Sequence, residues 1–295
     1  MRLLFGFVPW FLWANTASAE PIDLAAAARV LPSSPSCADV PCLIAHAYER
    51  DSKAGALALA LWNESGDVAG VGSEEQMDGG FRGTIHLVPE LPMALYRKQL
   101  VWVVAATRSI DHFFAALFAE QAPPAYRVHS LTFRFVRSLN QHRPSAYVDG
   151  TSITYNVVGS LLVSESGVRE TLVHELFHVN DEAHGDWSSG HLRAGYEAIL
   201  QHCGKQPSIA CLAPFAPNDT RVRGGTYYAF QQNNGDTVHE YAAELAVRYF
   251  KEQSQMLAHG KLAQPAFKCG PAQNAEAWHA LVTEFFAGRD LVPSC

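Results

Sequence analysis

The chain has 295 residues, 22 Lys and Arg against 29 Asp and Glu, a formal charge of −7, and 48% hydrophobic residues. No stretch is rich in lysine and arginine, which argues against nucleic acid as a main partner. The length suits one large domain or two small ones, with ample material for a core.

The first nineteen residues, MRLLFGFVPWFLWANTASA, carry Arg2, an apolar run over residues 3–13 and the small residues Ala17, Ser18 and Ala19. That order is the plan of a secretory signal peptide, with cleavage expected before Glu20. The run is too short to span a membrane, and no other stretch of eighteen uninterrupted apolar residues follows. The expectation is an exported protein, periplasmic or extracellular, with no stable membrane insertion. Loss of Arg2 takes the net charge from −7 to −8. All six cysteines lie after the signal, where export permits disulfides. The nearest neighbours in sequence are Cys37 with Cys42, Cys203 with Cys211 and Cys269 with Cys295. A four-cysteine zinc site lacks any C-x-x-C pair.

Residues 20–36 read as a short helix, IDLAAAARVL, and the linker PSSPS. Residues 37–62 carry a second helical pattern, and the glycine-rich NESGDVAGVG reads as a turn region. Residues 96–120 have helical spacing and end before Pro123 and Pro124, as one long helix or two joined near Ser109. This makes residues 20–125 a mainly helical region. From Tyr126 the texture changes: YRVHSLTFRFVRS alternates like a half-buried strand, and SITYNVVGSLL after the Asp149-Gly150 turn looks like its neighbour. Helices are expected around residues 170–187, 191–202, 237–255 and 272–287, with a Pro- and Gly-rich loop over 204–225.

The stretch ETLVHELFHVNDEAHGDW contains His174-Glu175-Leu176-Phe177-His178, an H-E-x-x-H sequence. Four residues along a helix turn a side chain by about 40° and raise it roughly 6 Å, so both imidazoles can share one zinc ion. Glu175, about 100° from His174, falls where it could accept a proton from water. Leu172, Leu176, Val179 and Ala183 form an apolar stripe that Val173 and Phe177 widen, leaving the histidines on the other side. A catalytic zinc usually has three protein ligands. His184 and Glu240 compete for the third place, with Asp181 and Asp236 as further acids.

His184 is spaced as in the metzincin peptidases, H-E-x-x-H-x-x-G-x-x-H, but Asp181 stands at the glycine where that helix breaks. If the helix runs on to Gly185, His184 lies about 15 Å along the axis from His174 and out of reach. Met256, the only later methionine, sits in KEQSQMLAHG, which does not look like the metzincin methionine turn. Glu240-Tyr241-Ala242-Ala243-Glu244 resembles the E-[FY]-x-A-E segment of anthrax lethal factor-like peptidases, and more loosely the E-x-x-x-D of thermolysin-like ones. The resemblance is therefore to zincin metallopeptidases of the gluzincin type, over roughly residues 126–255, and is specific at the two motifs. It implies an α+β fold, a mixed β-sheet packed on the H-E-x-x-H helix, with a mainly helical C-terminal part, residues 126–295 forming the catalytic region. It also implies one Zn2+ held by His174, His178 and Glu240, with Glu244 hydrogen-bonding a ligand histidine. Asp181 lies on the metal side of the helix as a further outer partner. SITYNVVGSLLVSES would fill the place of the edge strand that lines the cleft.

The implied activity is hydrolysis of a peptide or protein substrate by metal-activated water with Glu175 as general base. Tyr227, Tyr228, His239 and Tyr155 are the candidate oxyanion donors. The alternative is an exported binding or structural protein that keeps the zincin fold without turnover.

Overall fold

The computed structural model describes residues 21–32, 36–78, 83–139, 144–222, 225–231 and 237–295. The expected signal segment and Asp236 lie outside the described residues. Two short helices, α1 (Leu24–Ala27) and α2 (Val40–Ala47), lead into α3 (Ser52–Ser65). The expected single pattern over residues 37–62 is broken at Asp51, whose carboxylate caps α3 through Ala54 N–H and is gripped by Arg97 at 2.7 Å. An aspartate at an N-cap offers the backbone an acceptor that a continuing helix would not use.

Residues 68–89 then supply three strands, β1 (Val68–Val71), β2 (Glu75–Asp78) and β3 (Thr84–Pro89). The region before residue 125 is thus not only helical, and the glycine-rich stretch read as a turn contains β1. Gly70 is needed there: a Cβ would stand 2.4 Å from the carbonyl oxygen of Val30. The single helix α4 (Arg97–Leu117) follows, unbroken at Ser109. Residues 94–117 have the length and composition of a membrane span, yet Leu100, Val103, Val104 and Ile110 are buried in the protein's own core.

Three more strands complete a mixed sheet: β4 (Thr132–Ser138), β5 (Ala146–Asp149) and β6 (Ser152–Asn156). The order is β2-β3-β4-β6-β5, and β1 runs parallel to the first half of β4 on the side where β3 pairs with its second half. β4 is therefore central, and all of its residues except Arg134 and Arg137 are buried, which corrects the half-buried reading. Residues 126–131 are outside it. The edge beside the helices is β5, antiparallel to β6, and not the Ser152–Asn156 segment. Ala146 and Val148 of β5 share a face with Tyr155 and Ile153 of β6, which pack into the core. Tyr147 points to the other face, where its hydroxyl bonds Glu75 of β2. The sheet thus curls until residues from its two edges touch.

Helix α5 (Glu165–Ala183) crosses this sheet. It is followed by α6 (Trp187–His191), α7 (Arg193–Cys203), α8 (Ile209–Leu212), α9 (Thr237–His259) and α10 (Ala272–Phe285). One continuous core runs from Ala27 to Val292 and joins α4, α5, α9 and the sheet. The three disulfides pair Cys37–Cys42, Cys203–Cys211 and Cys269–Cys295, which is compatible with an oxidising compartment.

Asp67, just before β1, is wholly buried, and burial pushes its carboxyl up to about 7 against the pull of the Leu131 N–H at 2.8 Å. Its Oδ2 has no hydrogen-bond partner among the described residues. Between about pH 4 and 7 the folded chain then holds a proton that the unfolded chain has lost, so this stabilisation is present below pH 4 and disappears as pH rises through 7. Comparing urea unfolding at pH 5 and 8, the wild type is expected to lose on the order of 2–4 kcal/mol relative to Asp67→Asn. Parallel pH profiles for the two proteins would refute this.

Candidate metal centre

Helix α5 starts at Ser164, whose hydroxyl accepts the Gly167 N–H at 3.1 Å. A Cβ on Gly167 would stand 2.3 Å from the Leu161 carbonyl oxygen, so glycine lets the chain fold tightly into the helix. From Thr171 to Phe177 every residue is buried, although Ala183 at the end of the expected stripe is exposed. His174 and Glu175 are consequently enclosed by the protein instead of facing open solvent, and His178 is half-buried. Helix α9 packs against it and places Glu240 in its own first turn, where the helix dipole favours a negative charge.

His174 Nε2 lies 3.0 Å from Glu240 Oε2 and 3.2 Å from His178 Nε2, and His178 Nε2 is 3.8 Å from the same carboxylate oxygen. Ligand atoms held about 2.0–2.1 Å from a tetrahedral ion stand roughly 3.3 Å from one another, so these three separations bracket what one small ion requires. The group could hold a metal ion. The other ring nitrogen of His174, Nδ1, is 3.3 Å from Glu244 Oε1. Glu244 is one turn beyond Glu240 and 5% exposed. A carboxylate there fixes the tautomer that leaves Nε2 free for a cation and raises the basicity of the ring.

Charge explains why the arrangement is poised for a cation. Burial opposes a charged His174, but hydrogen bonds to Glu240 and Glu244 and the attraction of Glu240 and Glu175 outweigh it and hold the imidazole well above its usual value. Burial likewise opposes ionised Glu240, and the two histidines overcome it, keeping that carboxyl well below the usual range. Glu175 behaves differently. Burial raises its pKa, the two histidines only partly offset this, and Glu240 adds to it. A carboxyl with a raised pKa beside a cation site is suited to receive a proton and release it again.

The remaining candidates separate clearly. His184 caps the C-terminus of α5, its Nδ1 2.7 Å from Glu284 and its ring against Phe285. It is not brought to the metal ligands, because α5 does not break at Asp181. Asp181 is no outer partner of the site either: it accepts the Ser188 N–H at 2.8 Å and its hydroxyl at 2.5 Å, tying α6 to α5. Tyr155 lies within the core with its hydroxyl on Gln99. Tyr227 is buried and bonded to Arg221. His239 is rotated about 100° from Glu240 on the helix, and its Nε2 is buried without a hydrogen-bond partner among the described residues. Tyr228 alone among the four has its ring against a ligand, 5.7 Å from the His174 ring and edge-on.

Sequence reasoning missed Asn218. Its side-chain amide donates at 2.6 Å to the backbone oxygen of Glu244, fastening the loop that leads to Tyr228 onto α9. A lone asparagine in a polar loop carries no signal of that contact. Comparisons of this chain with protein-family models, curated proteins and solved structures found no match.

Proposed function

We propose that the protein is an exported zinc-dependent peptidase with a zincin-like site of the gluzincin kind. The observation that carries this reading is the convergence of His174, His178 and Glu240, from helices 66 residues apart in sequence, around one point. Two imidazoles and one carboxylate are a donor set suited to catalytic zinc, with a fourth position left for water. Zinc bound there would polarise a carbonyl and lower the pKa of water.

The chain's own groups supply the rest. Glu175 takes a proton from the attacking water and delivers it to the leaving amine, a cycle that its raised pKa favours. Tyr228 is the oxyanion donor in this reading, because it is the candidate that packs on a ligand. The β5 edge has no strand partner beyond β6 among the described residues and lies along α5. Its free backbone groups would pair with an extended peptide, which selects a chain with exposed amides as substrate.

The test is zinc content by elemental analysis, together with cleavage of fluorescein-labelled casein before and after 1,10-phenanthroline. Stoichiometric zinc and activity lost to the chelator and restored by zinc are expected. Intact casein and intact peptide libraries with zinc bound would remove the peptidase reading. In the same protein Glu244→Ala is expected to weaken zinc binding by about 10–100-fold, read by competition with a chromophoric chelator. An unchanged affinity would mean that Glu244 does not orient His174.

A further inference from the structure

The loop between α8 and α9 is built as a brace around the ring that touches His174. Asn218 fixes its start to α9 at Glu244, and Arg248 donates to the Pro217 carbonyl at 3.3 Å. The chain then doubles back: Arg221 and Tyr227 form an antiparallel bridge, Val222 N–H bonds the Thr226 carbonyl at 3.0 Å, and Tyr228 N–H bonds the Thr220 carbonyl at 2.8 Å. Across this turn Arg221 makes three contacts at once. Its Nη2 donates to the Tyr227 hydroxyl at 2.9 Å, its Nε donates to Asp219 at 2.9 Å, and its guanidinium carbon lies 4.4 Å from the centre of the Tyr227 ring. Only a planar, forked cation can stack on a ring and hydrogen-bond on both sides of it.

The geometry points to Arg221 as a positioning residue for the candidate metal centre. Clamped by Arg221, Tyr227 is buried and fixed, and the next residue, Tyr228, is held with its ring edge-on to His174. Arg221 itself does not touch the ligands. It acts through Tyr227 and the Tyr228–Thr220 hydrogen bond, and sets how firmly the Tyr228 ring stands against His174. The cation–π stack and the hydrogen bond together are of a size to change the population of the braced arrangement by about tenfold. The consequence for turnover rests on the peptidase reading, whereas the brace itself does not.

Two measurements on the full-length protein test the brace without any assay of activity. In Arg221→Ala, hydrogen exchange at the Val222 and Tyr228 amides is expected to speed up about tenfold. The imidazole proton resonances of His174 are expected to move toward those of Tyr228→Leu, since both variants take the aromatic edge away from that ring. Arg221→Lys keeps the charge but lacks the fork, so it should restore little of either signal. Wild-type exchange rates and wild-type His174 resonances in Arg221→Ala would overturn the proposal, as would full rescue by lysine. With casein as substrate, Arg221→Ala should lower kcat several-fold with little change in KM, and should add nothing in a Tyr228→Phe background. An equal further loss in that background would overturn action through Tyr228. Absence of casein cleavage by the wild type, with the exchange and resonance changes present, would count against the peptidase reading alone.

Discussion

Glu175→Gln is expected to retain zinc and to lose casein hydrolysis by about 10³-fold, within the 10²–10⁴ range of a positioned general base. Glutamine has nearly the shape of glutamate and can still hydrogen-bond water, but it can neither accept the proton nor hand it on. The wild-type carboxyl is 5% exposed, with a pKa raised by burial and only partly restrained by His174 and His178. An uncharged amide there removes a desolvation cost, so the variant should unfold at a temperature equal to or above that of the wild type. Loss of turnover with no loss of stability or metal separates a chemical role from a structural one. Casein hydrolysis at the wild-type rate by the zinc-loaded variant would eliminate Glu175 as the base.

Glu240→Ala carries the second large effect, on metal and stability together. The wild type at zinc concentrations a thousandfold above Kd should gain about 4 kcal/mol of stability by linkage, seen as a rise in Tm that EDTA reverses. In Glu240→Ala that rise should vanish at the same zinc concentration. The pH dependence follows from the cation that zinc replaces. Without metal His174 is held protonated by Glu240 and Glu244; this stabilisation is full below the unfolded histidine value of about 6.5 and is lost as pH rises through the raised folded value. The depressed Glu240 carboxyl contributes in the opposite sense: its stabilisation is present above the unfolded value of about 4.3 and is lost as pH falls through the folded value. Zinc must displace the His174 proton, so binding at neutral pH should release a proton and tighten with rising pH. Calorimetry in buffers of different ionisation enthalpy measures that release. A titration with no proton release would mean that His174 is neutral before zinc arrives.

Several parts of the fold were legible because they rest on local rules. The H-E-x-x-H helix, the long α4 and the C-terminal α10 follow from helical spacing of apolar residues, and the three disulfides join cysteines that are neighbours in sequence. The readings that had to be changed concern relations between distant segments. The alternation Phe133-Arg134-Phe135 marks a strand but not what covers its second face, and in the fold β4 is central with Thr132, Val136 and Ser138 buried as well. The short β1 lies in a glycine-rich run because Gly70 must pass close to Val30, and this hides a strand behind turn chemistry. The edge of the sheet fell to Ala146–Asp149 because hairpin pairing put β5 outside β6.

The candidate site divides along the same line. Sequence alone placed His174 and His178 on one side of a helix with Glu175 beside them, because a 3.6-residue period fixes directions within a helix whatever surrounds it. It also held Glu240 and Glu244 one turn apart as a pair. Whether Glu240 or His184 would stand beside the histidines depended on whether α5 broke at Asp181, and on how α9 packed across 66 residues of chain. Those are matters of tertiary packing: Asp181 is engaged with Ser188, and α5 runs on to Ala183 and carries His184 to Glu284. Packing likewise separated Tyr228, Tyr155, Tyr227 and His239: all four side chains have hydrogen-bonding chemistry, but only the Tyr228 ring was brought against His174.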